Sequence, residues 1–191
     1  KTKHIKFNEN LDFDRVAPYF SSDSIGGDLE IEKYQFLGGY TQRFNKITVG
    51  AEASYNAQLG SRAKDPRINN ITSELNLKIG LNYAFYKKFE LGIFAEGERY
   101  LQNSRIRFAS KLGQPLVYQM TGLGFYNNLF SGGTSSITTI HEEFGYKVGG
   151  QINHDKGKDF YIMAQMGQSS MLKSYQGTGN TYYDLSELDN D

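Results

Sequence analysis

One histidine in this chain stands among carboxylates, in the run His141-Glu142-Glu143. On an extended strand, residues two apart share a face, so His141 and Glu143 would present two metal-ligating groups together. A metal needs at least one ligand more. His4 and His154 lie elsewhere, His154 in an expected turn, and the chain has no cysteine, which excludes thiolate ligation and a disulfide framework. Serine-histidine hydrolysis of lipid would need a serine beside His141. Ser135 and Ser136 are near in sequence but sit in a Gly/Ser-rich loop. A structural role is therefore expected for His141, with no catalytic residue, no cofactor site and no metal site.

A second set of charges is defined by periodicity. Glu52, Glu74, Lys78, Glu96, Glu98, His141, Glu143 and Lys147 all fall on the polar side of alternating segments, together with Glu90. If that side faces a lumen, its surplus of carboxylates favours passage of cations. The weightier expectation is a salt-bridged or plugged interior, balanced by arginines from the loops.

The elements that would position these groups are long strands. Ile47, Val49, Ala51, Ala53, Tyr55, Ala57 and Leu59 alternate with polar residues or glycine, and Ile71–Tyr86 repeats the pattern with one break, at Ser73. Period two marks a β-strand with unlike faces. Ordinary strands run about 5–6 residues, whereas Ile47–Leu59 runs 13. At roughly 3.3 Å per residue and a tilt of about 45°, that length approaches the ~30 Å of a bilayer's hydrocarbon core. Backbone groups left unpaired in lipid cost several kcal/mol each, so such strands belong in a closed barrel.

Composition agrees. Only 38% of the 191 residues are hydrophobic, mean hydropathy is −0.56, and no apolar run reaches the ~18 residues of a spanning helix. A barrel has no such requirement, because alternate residues face water. Aromatics make up 14%, all Tyr and Phe, and suit strands and interfacial girdles. A formal net charge of zero argues against a nucleic-acid partner.

Further strands are expected over Leu29–Gln42, Phe89–Gln102, Ile140–Asn153 and Phe160–Met166. Residues 1–28 read as loop or weak strand, and 103–139 as a long extracellular loop or an additional strand. Gly60–Asn70 reads as a long charged connection, since Pro66 interrupts a ladder. Short turns at Arg43–Lys46, Lys87–Lys88 and Asp155–Lys158 alternate with long connections, as periplasmic turns alternate with extracellular loops in outer-membrane barrels. Tyr40, Phe44, Tyr83, Phe85, Phe89 and Phe160 would form a girdle beside those turns. The fold expected is all-β, an antiparallel transmembrane β-barrel forming one domain over 1–191. About six strands are legible, fewer than the ~8 of the smallest barrels, so the chain is expected to be a portion of a larger barrel.

From Asn56 to Leu77, and most recognisably at Arg62-Ala63-Lys64-Asp65-Pro66-Arg67, the sequence resembles a family of uncharacterised Bacteroidota outer-membrane β-barrel proteins. The resemblance is clearest over Tyr34–Leu101. It implies location in the bacterial outer membrane and association with a TonB-dependent importer of nutrients or metals, or with a surface lipoprotein. The function expected is a non-enzymatic component of a transport or surface assembly, in contact with outer-membrane lipid and lipopolysaccharide. An independent diffusion channel is the alternative, followed by a lipid-modifying barrel enzyme.

Overall fold

The computed structural model of the protein describes residues 2–5, 9–86, 88–109, 116–128, 136–154, 160–176 and 182–190. Apart from one helical turn it is all-β and antiparallel. The strands are β1 (Thr2–Ile5), β2 (Ser21–Asp23), β3 (Gly27–Phe44), β4 (Ile47–Ser61), β5 (Arg67–Tyr86), β6 (Phe89–Arg107), β7 (Val117–Gly122), β8 (Phe125–Asn127), β9 (Ser136–His154), β10 (Phe160–Gln176) and β11 (Tyr182–Asn190). The helical turn is α1 (Phe13–Val16).

Eight strands form one sheet in the order β1-β3-β4-β5-β6-β9-β10-β11, and β2-β7-β8 form a second, three-stranded sheet. The large sheet is open. β1 and β11 are its outer strands, and no pairing joins them among the described residues. β1 covers only Gly27–Leu29 of β3, and β11 covers β10 only from Ser169 to Gln176.

Register keeps the two faces unlike across the whole width. One row runs Ile79–Ala95–Val148–Met166 and another Tyr83–Leu91–Ile152–Ile162, from β5 to β10. Apolar side chains on this face are exposed: Leu77 to 51%, Ile79 to 63%, Ile93 to 57% and Met166 to 73%. At the turn end Phe89 lies between Phe85 and Phe160, with ring centroids 6.0 and 6.1 Å away. Glu52, Lys78, Glu96 and Lys147 occupy a single row on the opposite face.

The strands outrun the expected segments at the end away from these turns. The connection expected over Gly60–Asn70 shrinks to Arg62–Pro66, because β4 continues to Ser61 and β5 starts at Arg67. β6 and β9 likewise extend to Arg107 and back to Ser136, and the remainder of 103–139 contains β7 and β8. Residues 1–28 contain β1, α1, β2 and the start of β3. The acidic tail is strand β11, which the sequence pattern did not mark.

The physical reason lies in the only core cluster among the described residues, Ile106, Val117, Ile137 and Tyr175, with Phe108 and Leu185 packed against it. Ile68, Ile106 and Ile137 sit in one row on the otherwise polar face, so at this end apolar residues point inward and arginines outward. The alternation inverts and no longer reads as the same strand. Of the expected turns, 155–158 and Lys87 lie outside the described residues.

Candidate functional site

Across four adjacent strands the polar face carries charges of alternating sign: Glu52 on β4, Lys78 on β5, Glu96 on β6 and Lys147 on β9, each directly opposite the next. Opposite charges in cross-strand register attract, whereas like charges there would repel. Lys78 Nζ is 3.9 Å from a Glu96 carboxylate oxygen and lies over the Phe94 ring, 4.9 Å from its centroid. Phe94 can lie flat because Gly149 stands beside it, where an added Cβ would come within 2.6 Å of the ring. Two open hollows flank this row. One of about 610 Å³ is lined by Glu52, Lys78, Phe94, Gln151 and Tyr161, and one of about 640 Å³ by Glu96, Glu98, Glu143, Lys147 and Gln168.

Closer to the Arg62–Pro66 end, the N-terminal segment covers the same face. α1 presents Arg15 to three strands at once. Its Nη1 is 3.1 Å from Glu74, its Nε donates to Glu143 at 2.6 Å, and Nη2 donates to Glu98. The guanidinium also lies over the Tyr100 ring, 4.2 Å from its centroid. Burial disfavours the charged guanidinium, but the carboxylates of Glu143 and Glu98 outweigh that and hold its pKa above the ordinary arginine value.

Asp12, held at φ 48°, accepts from Tyr100 Oη at 3.1 Å and Gln58 Nε2 at 3.0 Å. Asn10 donates to Ser104 at 2.9 Å and accepts from the Ser21 amide at 2.7 Å. Leu11 sits against Gly60, where a Cβ would come within 2.8 Å of its methyl group.

A second ionic centre pins the two ends of this segment. Arg62 is 4% exposed. It is 2.7 Å from Asp23 and 3.3 Å from Glu9, and its Nε donates to the Pro66 carbonyl at 2.8 Å. Two carboxylates share one guanidinium, and the environment separates them. Burial, reinforced by Asp23, raises the Glu9 pKa well above its ordinary value. For Asp23 burial pushes upward, yet hydrogen bonds from Glu9, the Gly26 amide and Arg62 prevail and lower its pKa. Of the two, Glu9 is therefore the carboxyl that keeps its proton more readily and Asp23 the one that gives it up.

All eight residues expected on the charged face lie on it in register. Arg15 gathers Glu74, Glu98 and Glu143; the row of four contains Glu52, Lys78, Glu96 and Lys147. His141 is fully buried beneath the segment, its Nε2 lies 3.1 Å from the Tyr19 carbonyl oxygen, and Lys173 stands opposite it on β10. Ser136 falls on the other face of β9, and Ser135 lies outside the described residues. Among the described residues no three His, Cys, Asp or Glu side chains gather to hold a metal ion. Arg15, Asp12, Tyr100, Arg62 and Glu9 were not singled out by periodicity. The signal that bears on Arg15 is the surplus of carboxylates itself, which demands a cation from a non-periodic segment.

The chain matches, over residues 1–191, the profile of a family of unknown function (DUF6850), and it belongs to that family. No curated protein and no solved structure matches it.

Proposed function

We propose that the protein is part of the wall of a transmembrane β-barrel in the bacterial outer membrane. In this reading it is a non-enzymatic component of a transport or surface assembly, with its own N-terminal segment seated in the interior. The observation that carries this reading is the exposed apolar face opposite a charged face. On β5 the outward apolar residues run from Leu75 to Phe85. Ten steps of roughly 3.3 Å tilted by about 45° rise ~23 Å, close to the ~25 Å apolar band of outer-membrane barrels. Soluble monomers rarely expose contiguous apolar patches beyond a few hundred Å². A soluble barrel has the opposite arrangement, with apolar residues packed inside. No helix among the described residues is long and apolar enough to cross a membrane.

The resemblance in the Arg62–Arg67 region adds the outer membrane and an associated TonB-dependent importer or surface lipoprotein. Co-purification from detergent-solubilised outer membranes tests this; recovery of the protein in the soluble fraction without detergent defeats the membrane reading. An independent channel is the second reading, favoured by the two hollows beside the charged row. Single-channel recording separates the two, because a seated N-terminal segment predicts little conductance in the wild-type protein and an open channel predicts steady current.

A further inference from the structure

On the outward face, just beyond the apolar band at the Arg62–Pro66 end, three arginines come together. Arg67 on β5 stands directly opposite Arg107 on β6, and Arg105 lies one row below on the same face, opposite Asn69. All three are exposed. Arg67 donates to Asp65 at 3.1 Å, and neither Arg105 nor Arg107 has an ion-pair partner among the described residues. Like charges directly opposite each other in an antiparallel pair are unfavourable. The pairing of Arg67 with Arg107 is thus a cost that an anion between them would remove. Arg99, lower on the same strand, is different: its charge is met by Glu142 at 2.7 Å and by the face of Phe144.

The position defines the anion. The next row toward the turns runs Ile71–Asn103–Ile140, with Ile71 54% exposed. Arginines one and two rows above the last outward isoleucines lie where the headgroups of an outer leaflet would be. Around them Asn69, Thr138 and Ser136 offer neutral hydrogen-bonding groups of the kind that suit sugar hydroxyls. Guanidinium groups match phosphate oxygens in a bidentate fork.

We propose that Arg67, Arg105 and Arg107 form a binding site for the phosphate of a saccharide-bearing lipid headgroup in the outer leaflet. The site rests on the membrane reading above and assigns that reading a specific lipid contact.

The test uses the full protein purified in detergent and titrated with lipid A, with enzymatically dephosphorylated lipid A, and with inorganic phosphate. Phosphorylated lipid A should bind with about tenfold or greater preference over the dephosphorylated form. The variant R67Q/R105Q/R107Q should lose that preference, while K78Q, on the opposite face, should keep it. Inorganic phosphate at equal concentration should not compete. A triple variant that binds like wild type overturns the site, as does full competition by inorganic phosphate, which would mark a free-anion site. Unchanged heat-modifiable mobility of the variant on gels separates loss of the site from loss of folding. Extraction without detergent would defeat the membrane reading instead, independently of these titrations.

Discussion

At the scale of single residues, Arg15 is the group on which the covered face depends. It pairs with three carboxylates that otherwise face one another and offsets one of their charges, and a partly buried charge loses more when its partner is removed than the pair itself contributes. Arg15→Ala should weaken seating of Glu9–Asp23 by about 2–3 kcal/mol, read as faster proteolysis within that segment; Arg15→Lys should restore only part of it, because one ammonium cannot reproduce the guanidinium fork.

Glu9 and Asp23 give opposite pH responses. A raised carboxyl pKa means that the folded state holds the proton more tightly, so Glu9 disfavours the seated form at pH above its raised value and relaxes as pH falls. The lowered pKa of Asp23 contributes stability above the ordinary carboxylate range near ~4, and that is lost as pH drops below it. From these two groups the seated segment loses stability as pH rises above the ordinary carboxylate range, through Glu9, and as it falls below that range, through Asp23. Glu9→Gln should flatten the unfolding-midpoint profile at higher pH and be neutral or stabilising near pH 7, whereas Asp23→Asn should destabilise there.

At the scale of elements, the middle of each long strand was legible because one face stays apolar from Ile47 to Leu59 and from Leu75 to Phe85. Their far ends were not, because Ile68, Ile106 and Ile137 turn the apolar side inward just where Arg67, Arg105 and Arg107 turn outward. The eight charges assigned to one face followed from parity alone, which strict pairing from β4 to β9 preserves. Arg15 was illegible as a partner because a single helical turn has no period to read. Glycines expose another element-level constraint. Gly149→Val should displace Phe94 and cost about 1–3 kcal/mol by overpacking, seen as a lower thermal midpoint. Gly97→Ala, whose added methyl would meet nothing within 4 Å, should be close to neutral.

At the scale of the whole molecule, the proposed barrel would put opposite solvents on the two sides of the sheet. Ile79→Arg places a charge in the middle of the apolar band and should cost about 2–4 kcal/mol of folding stability in bilayers. In a soluble protein the same change at a residue 63% exposed would be neutral or would improve solubility, so refolding into vesicles decides between them. Among the described residues β3 beyond Leu29 and β10 before Ser169 each have one unpaired edge, and in the proposed membrane setting such an edge would have to find further strands to pair with.

The strand order also governs how the interior segment can ever leave. It runs from the end of β1 to the start of β3, and those strands are neighbours. The segment is therefore tethered at both ends, and β2 within it is held again by pairing with β7. Were it displaced, its return would be intramolecular, at a high effective concentration set by its own short span. In the proposed barrel, any passage so uncovered would be brief and would need no help from outside the chain to reclose.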